Sequence, residues 1–333
     1  MKEVSGHARA GELRSKIVPA APSAALRPFV QSYAGFRESG APVCRRGFPF
    51  STVPLVIAFD DWLLAGDEQR PLTRYSSVVR GLSRTAAAFE HNGDAHGLLL
   101  DLTPLGAALL FGVPGAELRD QIIPLEALLG AEADRLVRVL LEQPSWPRRF
   151  AALDAWLCAR IAAAPSVPSQ VVWAWRRLSS TGGQVSIATL VDEVGCSHRH
   201  LAQSFARTVG VTPKTYARLV RFERAIDRLD RGDHDFGAIA LDCGYYDQAH
   251  FNNDVHEFVG ISPKALLTQR LEGAGFGLVR HAATESSGIR RTGVTSASTF
   301  SNTRASRLPS VGQQAAPRRA AESESVRFAE ESA

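Results

Sequence analysis

The sequence predicts an α+β domain followed by an all-α domain that contains two helix-turn-helix units. Three observations lead there. Between residues 26 and 102, short apolar runs set off by turn residues read as strands, and beyond residue 103 the apolar spacing changes to that of helices. From Ile187 to Leu267 the chain says nearly the same thing twice. Its 333 residues, 45% of them hydrophobic, suffice for two cores. The expected layout is a flexible lead over 1–20, the mixed domain over 21–164, the helical domain over 165–271 and a disordered tail over 272–333.

The lead (MKEVSGHARAGELRSK) is polar and lacks the apolar centre of a signal peptide. No run approaches the roughly 20 apolar residues that span a bilayer, so the expected location is the cytoplasm. Strand candidates are Phe29 to Phe36, Val53 to Phe59 and Ser77 to Leu82, with Pro54 marking a strand start or an edge. Ala86 to His91 and Ala95 to Leu102 flank Asn92-Gly93-Asp94, which is hairpin chemistry. Thr103-Pro104 then opens a helix through Phe111. Further helices are expected over Pro124 to Leu129, over Glu132 to Glu142 and from Trp146-Pro147 onward. The Pro-Ser-Ala passage Ala162 to Gln170 reads as the interdomain joint. After Leu271 there are few large apolar residues, too few to bury a core.

The repeat consists of IATLVDEVGCSHRHLAQSFARTVGVTPK and FGAIALDCGYYDQAHFNNDVHEFVGISPK. With Gly195 set on Gly244, Leu201 falls on Phe251, Phe205 on Val255, Gly210 on Gly260 and Pro213 on Pro263. Ile187, Leu190, Val191 and Val194 mark one buried face of a first helix, which Gly195 stops. Ser197 is placed to cap a second helix that turns Leu201, Phe205 and Val209 inward. Thr212-Pro213 starts a third. Helix, glycine turn, helix is a layout whose second helix fits a DNA major groove.

At 100° per residue the outward side of that second helix carries Arg199, His200, Gln203 and Arg207. In the second copy Phe251, Val255 and Val259 turn inward, while Ala249, His250, Asn253 and Glu257 turn outward. Arg and Gln pair with guanine and adenine edges, and Asn suits adenine. Asp247 serves better as a helix cap than as a base contact. The plainer reading, solvated faces of two surface helices, gives no reason for a duplicated unit joined by a basic helix. That connecting pattern, Lys214 to Asp230, spans roughly 25 Å, against about 34 Å between successive major grooves. Both second helices can then address adjacent grooves if the DNA bends toward the protein, at a cost of order 1–6 kcal/mol, or if one helix inserts incompletely. Phosphates fall to Arg207, Lys214, Arg218, Gln248 and the helix N-termini.

Residues 186–270, with the helix before them, resemble the DNA-binding domain of the AraC/XylS family of bacterial transcription regulators. The runs SHRHLAQSFARTVGVTPKTYARLVRFERA and GYYDQAHFNNDVHEFVGISPKALL carry the likeness. The resemblance implies seven helices, base contacts at Arg199, Gln203, His250 and Asn253, double-stranded DNA as partner, and contact with RNA polymerase. Many relatives have Arg where Asn253 stands and Phe where Val255 stands, so the second helix is expected to read sequence more weakly. LRPFVQSYAGFRE, DLTPLGAALLFGVP and PLEALLG resemble the sensor domains of one AraC-type subgroup, which implies a cupin-like small β-barrel plus helices. Such a domain would sense a small-molecule effector or form a homodimer. Tyr33, Phe36, Arg45 and Trp62 are the side chains of a type that line such pockets.

The rival reading is an enzyme-like N-terminal domain, a metal-dependent cupin or a methyl-accepting protein, tethered to a DNA-binding domain. Against it, the strand region has no closely spaced His-x-His, and His91, Glu90 and Asp94 read as a solvated turn. His198 and His200 do have that spacing, but residues i and i+2 on a helix do not face each other. No GxSxG elbow, Walker loop or Rossmann fingerprint occurs. Cys44, Cys158, Cys196 and Cys243 form no CxxC pair. The expectation is no catalytic residue, no metal and no cofactor. A net charge of +4 alone argues for no partner.

Overall fold

The computed structural model describes residues 4–5, 13–59 and 63–271. The N-terminal half holds β1 (Val4–Ser5), β2 (Arg14–Ala20), β3 (Val30–Ser39), β4 (Val43–Gly47), β5 (Val53–Ala58), β6 (Leu63–Asp67), β7 (Arg70–Tyr75), β8 (Val78–Arg80), β9 (Ala87–His91), β10 (Ala95–Leu102) and β11 (Ile122–Pro124). Around β11 run α1 (Pro104–Phe111), α2 (Gly115–Leu118), α3 (Leu125–Leu129), α4 (Ala131–Glu142) and α5 (Trp146–Ala163). The C-terminal half is α6 (Ser169–Ser180), α7 (Ile187–Val194), α8 (His198–Val209), α9 (Pro213–Asp230), α10 (Phe236–Asp242), α11 (Gln248–Val259) and α12 (Pro263–Leu271). Seven helices over the described residues 169–271 agree with the count that the resemblance implies. No helix among the described residues is long and apolar enough to cross a membrane.

The strands divide between two antiparallel sheets instead of closing into the expected barrel. One has the order β1-β2-β3-β10-β5-β8-β11 and the other β4-β9-β6-β7. Asn92-Gly93-Asp94 therefore does not close a hairpin: β10 pairs with β3 and β5, whereas β9 pairs with β4 and β6. The turn chemistry is real, since Asn92 Oδ1 accepts the N–H of Asp94 at 3.1 Å. It reverses the chain from one sheet to the other, because partners are chosen by burial on both faces of β10 and not by the turn. The lead is also shorter than expected. Arg14–Ala20 pairs along β3 and buries Val18 completely, so the short apolar run Ile17-Val18 belongs to the sheet and not to a lead.

Alternation along the larger sheet fixes three layers. Tyr33, Leu55, Ile57, Leu98 and Leu100 face the helices, where the Tyr33 ring stacks on Phe150 at 5.3 Å. Ala34, Phe36 and Leu99 face the smaller sheet, where Val56 joins them to the cluster around Ala65 and Ala87. Thr103 caps α1 by accepting the N–H of Gly106 at 3.0 Å.

One hydrophobic cluster runs without a break from the sheet into the C-terminal helices. Phe48 and Phe50 each set their rings 6.2 Å from Phe222 of α9, and Phe222 lies 5.1 Å from Phe258 of α11. Beside them the backbone N–H and hydroxyl of Ser51 both donate to Glu223 Oε2, at 3.0 and 2.6 Å. Arg46 Nη1 donates to the Val259 carbonyl at the end of α11, at 3.2 Å. On the other flank Gly115 opens α2 directly against the end of α8. A Cβ there would stand 2.5 Å from the Thr208 carbonyl oxygen, so only glycine allows the approach. The Arg84–Glu257 pair at 3.2 Å is exposed and adds little beside the aromatic packing.

Replacing Phe222 by alanine is expected to cost about 3–5 kcal/mol. Denaturant unfolding of the full chain, followed by circular dichroism and by tryptophan fluorescence, should then show one coincident transition that shifts as a whole. Two separated transitions, only one of them moved by the substitution, would show that this packing does not join the halves.

Candidate nucleic-acid interface

The first helix pair is built as its residues dictate. Ser186 accepts the N–H of Thr189 at 3.0 Å and opens α7. Gly195 ends it with φ 68 and ψ 38, the left-handed conformation that lets the chain turn at once. Ser197 Oγ accepts the N–H of His200 at 3.2 Å and starts α8. Leu201, Phe205 and Val209 are buried, with the Phe205 ring 5.9 Å from Tyr216 of α9. That fixes the opposite side of α8 toward solvent, where Arg199, His200, Gln203 and Arg207 are all exposed. Thr212 caps α9 by accepting the N–H of Thr215 at 3.2 Å, and Lys214 is exposed in the first turn.

The second pair has the same plan and a different surface. Asp235 caps α10 and Asp247 caps α11, the latter accepting the N–H of His250 at 2.7 Å. Phe251, Val255, Phe258 and Val259 are buried, while Gln248, Asn253 and Glu257 are exposed. His250 is half-buried. Its ring stands edge-on to Tyr245 at 5.2 Å, and Nδ1 accepts the N–H of Tyr246 at 3.4 Å, which leaves Nε2 for a ligand. Between the pairs α9 runs 18 residues, about 27 Å. Arg228 at its far end bridges Asp233 and Asp242, tying α10 to the strut.

Arg218, expected on phosphate, is engaged elsewhere. Its Nε and Nη2 donate to Asp254 Oδ1 at 3.1 and 2.7 Å, Nη2 also reaches Glu257 Oε2 at 2.5 Å, and the guanidinium lies over Phe258 at 5.0 Å. Asp254 is a buried acid on the inner side of α11, and no local pattern marks it as the partner of a residue 36 positions earlier. The exposed face of α8 thus carries two arginines, whereas α11 offers no Lys or Arg.

The pocket candidates scatter. Phe36 and Arg45 line a recess between the two sheets, together with Glu38, Leu63, Phe89 and His91. Tyr33 lies on the opposite face of its strand, donating to Asp154 at 2.7 Å. Trp62 lies outside the described residues. His91 is no solvated turn residue: its side chain is 10% exposed, and Nε2 stands 2.8 Å from Glu38 Oε2. Arg45 grips the same carboxylate with both terminal nitrogens, at 2.6 and 2.7 Å, and Ser15 donates to it at 2.7 Å. These four residues come from four strands, and the pairing of β2, β3, β4 and β9 assembles them.

Burial alone would raise the Glu38 pKa, but hydrogen bonds from His91, Arg45 and Ser15 outweigh it and bring the carboxyl down to about 2. The Cys44 thiol moves the other way, pushed up to about 11 by burial and then by Glu90, the reverse of an activated thiolate. No group of three or more His, Cys, Asp or Glu among the described residues is placed to hold a metal ion. A depressed carboxyl pKa stabilises the fold above its ordinary value near 4.5, and the stabilisation disappears as pH falls toward 2. Wild type should therefore exceed Glu38→Gln in unfolding free energy by up to about 3 kcal/mol at neutral pH. The difference should shrink steadily below pH 4.5. A gap that stays constant from pH 7 to pH 3 would contradict this role for the carboxylate.

Comparison with known proteins agrees with the helical half. Residues 190–269 match a family model described as a helix-turn-helix domain. The invasion protein InvF of Salmonella typhi is 26% identical over 87 residues, 26% of this chain and 40% of that protein; InvF of Salmonella typhimurium gives the same figures. The chain thus spans 40% of the length of these curated relatives. Among solved structures, ToxT from Vibrio cholerae O395 aligns over 77% of this chain and 97% of its own, with 9% identity and a TM-score of 0.41. The AraC-like transcriptional activator CuxR aligns over 65% and 82%, with 15% identity and a TM-score of 0.30. Residues 190–269 of this chain, which hold α8, α9, α10 and α11, form a helix-turn-helix domain.

Proposed function

We propose that this protein is a sequence-specific DNA-binding transcription regulator whose α8 and α11 are two recognition helices entering successive major grooves. The observation that carries the reading is the exposed side of α8. Behind a glycine turn, Arg199, Gln203 and Arg207 stand on a helix whose other side is locked into the core. Arg199, His200 and Gln203 read bases in one groove, and His250 through Nε2 reads with Asn253 in the next. Arg207, Lys214 and Gln248 hold phosphates, the last two at helix N-termini where the backbone N–H groups assist. With α9 about 7 Å shorter than the groove repeat, the DNA bends toward the protein. Since α11 has no cation on its exposed side, α8 supplies most of the electrostatic grip.

The functional division is residues 21–164 as sensor or dimerisation part and 165–271 as DNA reader. The recess between the sheets is the effector site, and β4 is the element that reports it. Alternation along β4 turns Arg45 into the recess and Arg46 toward the Val259 carbonyl of α11. A molecule that moves Arg45 therefore disturbs a contact of the second recognition helix one residue away. Dimerisation through the N-terminal half and contact with RNA polymerase complete the reading, which casts the protein as a regulator and not as an enzyme.

Gln203→Ala should weaken binding to the cognate site by about 1–3 kcal/mol and blur preference at one base pair. Selection of binding sites from a random DNA pool measures both, and an equal loss on every sequence would remove Gln203 from base reading. Lys214→Ala should weaken all sequences alike and lower the slope of log affinity against log salt by about 1. Titrations at several salt concentrations check this, and an unaltered slope excludes a phosphate contact.

A further inference from the structure

We infer that the recess between the sheets takes an uncharged, largely hydrocarbon ring compound and disfavours carboxylic acids and sugars. This rests on the sensor reading above and names its ligand class. Phe36, Val56, Leu63, Phe89 and Leu99 form the walls. Sugar hydroxyls would lose water there without gaining partners, which is costly. The recess is small, with room for a few water molecules at about 50 Å³ against roughly 10–15 Å³ for one, so the ligand is compact or flat.

An arginine in such a recess would ordinarily anchor a ligand's carboxylate. Here the anchor is already taken. Both terminal nitrogens of Arg45 close on Glu38, whose side chain is 1% exposed. The carboxylate's Oε2 also faces His91, and its Oε1 accepts from Ser15. The charges of Glu38 and Arg45 cancel, and the near donors all point at an internal acceptor. A ligand carboxylate would sit beside Glu38, where two like charges in a dry site cannot both stay ionised at low cost. The remaining titratable groups offer no countercharge. Glu90 pairs across β4 with Cys44 and is itself acidic. His96 turns its ring to Phe59 and Trp146 on the helix side of the larger sheet, with Nε2 3.2 Å from Arg149.

The test is a matched pair on the full chain: indole and indole-3-carboxylate, titrated by saturation-transfer NMR and calorimetry at neutral pH. Indole should saturate, and the acid should bind at least about tenfold more weakly. Ala95→Trp, which fills the recess from β10, should abolish indole binding while circular dichroism stays that of wild type. Glu38→Gln, which removes the internal acceptor's charge, should bring the acid to within a few-fold of indole. Equal or tighter binding of the acid to wild type, still lost in Ala95→Trp, overturns the charge inference and leaves the sensor reading standing. If neither compound gives a signal that Ala95→Trp removes, the recess is not a ligand site and both readings fall.

Discussion

Helix α9 is the member on which the rest of the molecule depends, through the packing of Phe222 between Phe48, Phe50 and Phe258. One side of this helix holds α8 by Tyr216 and Phe205. Its middle holds α11 by Arg218, and its end holds α10 by Arg228. The β-rich half inserts two phenylalanines and the Ser51 hydrogen bonds into the same middle section. Interfaces between domains of one chain are commonly small and polar, which permits relative motion by default. An interface centred on the buried rings of Phe48, Phe222 and Phe258 is of the other kind. The orientation of the two candidate recognition helices is therefore set jointly by their own strut and by the N-terminal half.

The two helix pairs share a plan and differ in electrostatics. In the first, cations stand outside on α8 and the interior is apolar. Against the second, a cation of the strut is half-buried: Arg218 of α9 is spent on Asp254 and Glu257, and burial alone would disfavour its charge were those carboxylates not hydrogen-bonded to it. Removing either acid would leave a partly buried cation short of a partner, a costlier change than losing a surface pair. The two pairs thus share a backbone plan, while the arginine nearest α11 belongs to α9 and is held by acids of α11 instead of standing exposed.

In the N-terminal half the strand partners decide everything of interest. Arg45 and Arg46 are neighbours in sequence, yet one closes on Glu38 between the sheets and the other reaches α11. The period-2 alternation of a strand makes that division automatic once the two sheets pack face to face. Had the strands closed into one barrel, β9 and β10 would be partners and His91 would have remained at a turn. Their separation into different sheets carries His91 inward to Glu38.

Local chemistry was legible wherever it acts within one turn of chain. Ser197, Thr212 and Asp247 cap helices as read, Gly195 and Gly210 end them, and the inward stripes Leu201-Phe205-Val209 and Phe251-Val255-Val259 are buried. Those features need only helical geometry and the capacities of single residues. Strand partnership, the Arg218 commitment and the Glu38 cluster were not legible, because each joins residues from separate elements, such as Glu38 with His91 and Arg218 with Asp254, 53 and 36 positions apart, whose only shared property is where burial put them. A turn sequence states that the chain reverses, and a charged residue states that it wants a partner. Which strand or which carboxylate answers is a matter of competing burial over the whole molecule, and the tertiary structure alone decided it.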